Sequence, residues 1–223
     1  MKFSHQAPCT CGDAFSFSTY GDAPWRDAVC SRCKTPSSLT DPLSASVTAE
    51  RLLYRSMEEF EDGDYTLSIL IGAIAVESFL TQLFLKLKRL DNFATTYAWP
   101  TPEQQRTWEK QYKRNRGFSL SVDFVSEAIT EKTFDGFVGG NTTAARAIAG
   151  VLDAATMSAR DFIQAELFER RNKIAHWGFV NSTKQEAQVC HTLAVATVEI
   201  LREMDNSKYG ARQRLPSPPP PQL

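Results

Sequence analysis

Charge of one sign is what this chain most plainly lacks. Its 25 Lys and Arg stand against 26 Asp and Glu, a formal net charge of −1. No global basic field draws in nucleic acid, so any such binding has to use a local patch. Long apolar runs are missing too. The densest, 67–79, is broken by Gly72 and Glu77, too short to span a bilayer on its own, and reads as a buried helix. The chain does not open with a basic segment and an apolar core, which argues against a signal peptide. Histidine is scarce at 3 residues and cysteine at 5. Four of the cysteines fall in two close pairs, which suits a reducing compartment and a metal site better than a secreted disulfide framework. We read the protein as cytoplasmic, without a membrane partner. A chain of 223 residues accommodates one full domain and a small module.

The small module comes first. Cys9 and Cys11 form a C-x-C pair, eighteen residues intervene, and Cys30 and Cys33 form a C-x-x-C pair. Gly21, Pro24 and the alternating Phe15 and Phe17 between them are hairpin composition. Four thiolates on two tight turns suit tetrahedral Zn²⁺, which stabilises a segment too small for its own core. Residues 1–36 are therefore expected to be a zinc-ribbon-like module. A closed four-thiolate site is structural, because no position stays open for water or substrate. The alternative is unpaired or disulfide-bonded cysteines in a loose tail. Residues 37–46, rich in Ser, Thr and Pro, read as a linker.

Helical signals fill 47–206. A first helix is expected from about Thr48 through Phe60, stopping at Gly63. Asp64 then caps a second helix over about 65–90, the most apolar in the chain. Leu70, Ala73, Ile74, Leu80 and Phe84 share one face of it, with Glu77 in the middle. A carboxylate in an apolar stripe needs a partner, and Arg170 or Arg171 is the expected one. Residues 91–102 should be a loop. The helix after it, 103–116, carries Arg106, Lys110, Lys113 and Arg114 interleaved with Trp108 and Tyr112. Basic side chains track phosphate and aromatic rings stack on bases, so this is the candidate RNA-contacting face. The alternative is a solvated face with two packing aromatics. Further helices are expected over 119–137, up to a break at Gly139-Gly140-Asn141, and over 143–156. The last should run over about 182–205, with Val189 or Cys190, Leu193, Thr197, Ile200, Leu201 and Met204 as its stripe. Cys190 reads as a core residue and His191 as a surface or half-buried one. Residues 207–223 end in a proline-rich tail that cannot fold on itself.

The stretch before the last helix concentrates the chemistry. Residues 161–175 contain no Gly or Pro, and Ile163, Leu167 and Ile174 give an apolar stripe. Gly178 should stop the helix, which places His176 at its C-terminus. Exposed carbonyls there favour an imidazolium. Arg170 lies near the centre of the stripe and Arg171 on its flank. Glu166, four residues before Arg170, can pair with it and leave Arg171 for a ligand.

Arg171, Asn172 and, after three residues, His176 resemble the signature of the HEPN (higher eukaryotes and prokaryotes nucleotide-binding) superfamily: an arginine, a polar residue after it, and a histidine a few positions on. The resemblance covers roughly 45–207. It implies an all-α antiparallel bundle that works as a homodimer, with the zinc-binding β-hairpin module outside it. It also implies metal-independent endoribonuclease chemistry on RNA, carried by Arg171, Asn172 and His176, with Glu77 and Arg170 supporting. Zn²⁺ would be structural only, with no catalytic metal. The setting would be toxin, defence or RNA processing, with an antitoxin or a nucleotidyltransferase as candidate partner. Two other readings stay open: a non-catalytic HEPN-like domain that binds nucleotide or RNA, and a structural interaction protein.

Overall fold

The computed structural model describes residues 2–8, 14–20, 28–29, 32–33, 36–37, 45–96, 100–114, 117–150, 157–177 and 181–209. Near the N-terminus, Lys2–Pro8 (β1) pairs antiparallel with Ala14–Tyr20 (β2), and Ala28–Val29 (β3) with Pro36–Ser37 (β4). From residue 45 onward every described element is helical, as the all-α expectation requires.

Helix α1 (Ala45–Glu61) and the long α2 (Tyr65–Thr96) pack along each other. The turn between them uses Gly63 at φ +85°, a left-handed conformation that glycine adopts without cost. The Asp64 carboxylate then accepts from the Leu67 amide at 2.9 Å and caps α2. That helix runs six residues past its expected end, through half of the stretch read as loop.

α2 is buried around much of its circumference, with Ile69, Ala73, Val76, Phe79, Leu83 and Phe84 each at most 1% exposed. The expected stripe is therefore too narrow, and its edge is misplaced. Ile74 is 43% exposed, and Glu77 sits at the border of the buried surface rather than in its middle. By length and composition alone α2 could cross a membrane, with a window of mean hydropathy 1.8, so shortness does not exclude a span as the sequence suggested. Of that window 56% is buried inside the bundle, as in a core helix.

Four shorter helices come next among the described residues, before the motif. α3 (Pro102–Arg114) opens with a capping box. The Gln104 side chain accepts from the Thr101 amide at 2.8 Å, and Thr101 Oγ1 accepts from the Gln104 amide at 3.2 Å. Proline in the first turn loses no hydrogen bond there. The single helix expected over 119–137 is two: α4 (Phe118–Thr130) and α5 (Phe134–Gly140). The chain breaks at Glu131, in the left-handed region at φ 61°, and Thr133 caps α5 by accepting from the Gly136 amide at 3.2 Å. No glycine or proline marks 131–133, so composition hid the break. Asn141 ends α5 and caps α6 (Thr142–Ala149), accepting at 3.0 Å from the amides of Thr143 and Ala144. The rest of the helix expected over 143–156 lies outside the described residues.

The last helix, α9 (Lys184–Tyr209), is capped by Thr183 and Glu186 acting on each other's amides at 2.8 and 3.2 Å. Cys190, Leu193, Thr197, Ile200, Leu201 and Met204 are all fully buried, which resolves the open choice at 189 and 190 in favour of Cys190. α9 packs on α2, α1 and α6. Lys86 pairs with Asp205 at 2.7 Å, and Arg202 with the buried Glu50. His191 is half-buried. Its Nδ1 lies 3.0 Å from the Oγ of Ser56, which itself donates to the Ser68 carbonyl at 2.9 Å. The proline-rich tail after 209 lies outside the described residues.

Stability should respond to this packing in two ways. Leu193→Ala empties a fully buried site at the centre of the bundle and should cost about 2–5 kcal/mol in urea unfolding. Burial pushes the His191 pKa below its ordinary 6.5, so the folded state binds fewer protons than the unfolded chain just below that pH. Stability should therefore fall as pH drops below about 6.5, and His191→Gln should flatten that slope in melts taken between pH 5 and 8.

Candidate functional site

The motif helix is not the uninterrupted α-helix that 161–175 suggested. Ser158 caps it by accepting from the Asp161 amide at 3.2 Å, and α7 (Ala159–Ile163) passes into a π-helical segment, Gln164–Glu169, before α8 (Arg170–Trp177) resumes. A π turn accommodates one residue more than an α turn, and such segments favour functional positions. Here the core holds it in place. Leu167 and its neighbour Phe168 are both buried, and Phe168 stacks on Phe118 of α4 with ring centroids 4.5 Å apart and an interplanar angle of 12°. From α9, the Cys190 thiol donates to the Glu166 carbonyl at 3.1 Å. Burial pushes the Cys190 pKa up to about 12, so the thiol keeps the proton it donates.

The wide turn re-aims the two arginines that come after it. Sequence spacing put Arg170 near the centre of the buried stripe. In the structure both arginines are half-buried and paired on different sides. Arg170 donates to Glu166 through Nε and Nη2, at 3.1 and 2.7 Å, and through Nη1 to Glu186 of α9 at 2.6 Å. Its pairing with Glu166 is the one the four-residue spacing suggested, and Glu186 is a partner the sequence did not reveal. Arg171 turns instead to α2, where Nη2 donates to Glu77 Oε2 at 2.9 Å. Its Nη1 donates to the side-chain oxygen of Asn172 at 2.8 Å.

Of the two arginines held open as partners for Glu77, Arg171 is the one. Burial raises the Glu77 pKa above the ordinary carboxylate range, and the Arg171 charge works against that rise. His176 is exposed in the last turn of α8, four residues after Asn172 and so next to it on the helix surface. Gly178, expected to end the helix, lies outside the described residues.

Glu77 also lines an open cleft of about 500 Å³ between α2, α3 and α4. Thr81, Glu109, Tyr112, Phe118 and Ser121 share its wall. Tyr112 is largely buried, which raises its pKa. Hydrogen bonds with the hydroxyls of Thr81 and Ser121 oppose that rise, and the Glu77 charge adds to it. Gly117, at φ +90°, turns the chain into α4 at the rim. Spacing along the sequence gave no sign of this cleft, because its walls come from three helices.

On α3 the basic and aromatic residues part company. Arg106, Lys110 and Arg114 are exposed. Trp108 and Tyr112 pack against the core, Tyr112 with its ring 5.2 Å from Phe84. The two rings are thus packing groups rather than a stacking platform for bases, the alternative held open for them. The Lys113 side chain lies outside the described residues.

Of the four expected zinc ligands, Cys33 is exposed, and Cys9, Cys11 and Cys30 lie outside the described residues. Among the described residues no cluster of three or more His, Cys, Asp and Glu could hold a metal ion.

The Glu77–Arg171 pair is 44% and 30% exposed on its two sides, so water screens it. A double-mutant cycle of Glu77→Gln and Arg171→Gln in urea should give a coupling below about 1 kcal/mol. Cys190, fully buried with its thiol protonated, should resist alkylation by iodoacetamide at pH 8 in the folded protein and react once it is unfolded, read by mass spectrometry of its peptide. Comparison of the chain with family models, curated proteins and solved structures returns no match to any of the three.

Proposed function

We propose that the chain is a metal-independent endoribonuclease of HEPN type, with Arg171, Asn172 and His176 as its reacting groups. One observation carries this reading. Arg171 is held on one side by Glu77 and on the other by Asn172, and His176 stands beside Asn172 on the same short helix. A guanidinium fixed in this way can present its fork to a phosphodiester and offset charge growing on the oxygens in the transition state. An imidazole can take a proton from the 2′-hydroxyl or give one to the leaving oxygen.

The step is transesterification within RNA. The 2′-oxygen attacks the adjacent phosphorus and loses its proton to a base. The bond from phosphorus to the 5′-oxygen breaks, and that oxygen takes up a proton. The products are a 2′,3′-cyclic phosphate and a free 5′-hydroxyl. His176 serves one of the two proton transfers, and a second copy of the chain supplies the other across a homodimer. Arg170, committed to Glu166 and Glu186, supports the helix rather than the phosphate. Arg106, Lys110, Lys113 and Arg114 would then guide the flanking strand electrostatically, without stacking by Trp108 or Tyr112.

Zn²⁺ on Cys9, Cys11, Cys30 and Cys33 completes the reading as a structural ion of a separate N-terminal module, in a cytoplasmic protein of toxin, defence or RNA-processing type with an antitoxin or a nucleotidyltransferase as partner. A second reading, a phosphate grip without cleavage, gains from the engagement of Arg171 by two side chains.

RNA incubated with purified protein in excess EDTA separates these readings. Cleavage leaving cyclic phosphate ends is expected, reduced by about 10²–10⁴-fold in His176→Ala and also lost in Arg171→Ala. Retained binding without cutting would favour the phosphate grip. Absence of both would leave a structural interaction protein.

A further inference from the structure

We infer that the cleft beside Glu77 is a nucleobase pocket that selects guanine in the nucleotide next to the reacting phosphate. This rests on the ribonucleolytic reading for the placing of phosphate at Arg171, and it goes on to name the base.

The lining sorts ligands by charge. Glu77 and Glu109 are carboxylates; Thr81, Tyr112 and Ser121 bring hydroxyls; Gln82 brings an amide. The carboxylates in this lining repel an anion. A neutral group rich in N–H donors suits them. The nearest guanidinium, Arg171, is bonded to Glu77 at the cleft wall. A phosphate on Arg171 would therefore stand outside while the base of the same nucleotide enters. Leu80, Leu85 and Phe118 give the apolar contact that a flat heterocycle needs. The volume, about 500 Å³, falls in the ordinary range for small-molecule sites.

The carboxylates select among bases. Glu77 is already taken by Arg171. Glu109 is half-buried on the facing wall, from α3, and is the carboxylate we assign to the ligand. An ionised carboxylate offers two acceptors side by side and no donor. Guanine alone of the four RNA bases carries two adjacent N–H donors, N1–H and the N2 amino group, on one edge. Adenine and cytosine set a ring acceptor beside their amino group, and uracil flanks its single N–H with two carbonyls. Against Glu109 each of these three faces lone pair to lone pair. The Gln82 amide, with a donor as well as an acceptor, can complete the match at guanine O6.

Calorimetric titration of the full chain with guanosine 3′-monophosphate and with uridine 3′-monophosphate tests this. Guanine should bind at least about tenfold more tightly, the lower part of the range for one good bidentate pair. Glu109→Gln, checked for fold by circular dichroism, should lose that preference while still binding both nucleotides through phosphate. Equal binding of the two, no binding of either, or a guanine preference that survives Glu109→Gln overturns the inference. Mapping of cut sites separates it from the nuclease reading. Cleavage indifferent to base leaves the nuclease standing and removes the pocket. A guanine preference in binding with no cleavage in EDTA keeps the pocket and removes the nuclease.

Discussion

A single contact between distant parts of the chain organises the candidate site: the guanidinium of Arg171 against the carboxylate of Glu77, at 2.9 Å across 94 positions of sequence. It joins the second helix of the bundle to the short helix that bears the histidine. Both partners are partly open to solvent, so the contact adds little to stability. Its consequence is directional. Of the two adjacent arginines, one is drawn to α9 by Glu186 and the other to α2 by Glu77. Burial leaves Glu77 less willing to ionise than an ordinary glutamate, and the arginine works against that effect.

Behind that contact stands the π segment. A wide turn is less favourable than an α turn and persists where tertiary packing holds it. Phe168 on Phe118 and the Cys190 thiol on the Glu166 carbonyl are among the contacts that pack against it. Both come from elements that also serve the site, since Phe118 walls the cleft and α9 carries Glu186. Core packing and site geometry are in this sense one arrangement. The rings of Phe84, Tyr112 and Phe124 bring α2, α3 and α4 together in the same way, with Phe84 5.2 and 5.6 Å from the other two.

The near-zero net charge takes on meaning once charges are located. Exposed cations lie along the outer face of α3, while the cleft on its inner side holds carboxylates and hydroxyls. Glu109 belongs to the same helix as Lys110, one inside and one out. One helix therefore presents cations on one surface and a carboxylate and a hydroxyl on the other, although its composition gives no hint of two environments.

Local rules were enough for much of the chain. Capping by Asp64, the stop at Gly63, the stripe of α9 and the pairing of Glu166 with Arg170 were readable because each depends on spacings of three or four residues along one helix or at its end. The need of Glu77 for an arginine was readable too, from the cost of a carboxylate on an apolar helix. Which arginine answered it was not, because that choice depends on how many residues the turn before Arg170 contains. The break at Glu131, the inward turn of Trp108 and Tyr112 and the cleft beside Glu77 were equally hidden. Sequence by itself determined the helices and the groups that required partners, since backbone hydrogen bonding and capping act over three or four residues. Tertiary structure decided which faces met, because burial is settled between helices that lie far apart along the chain.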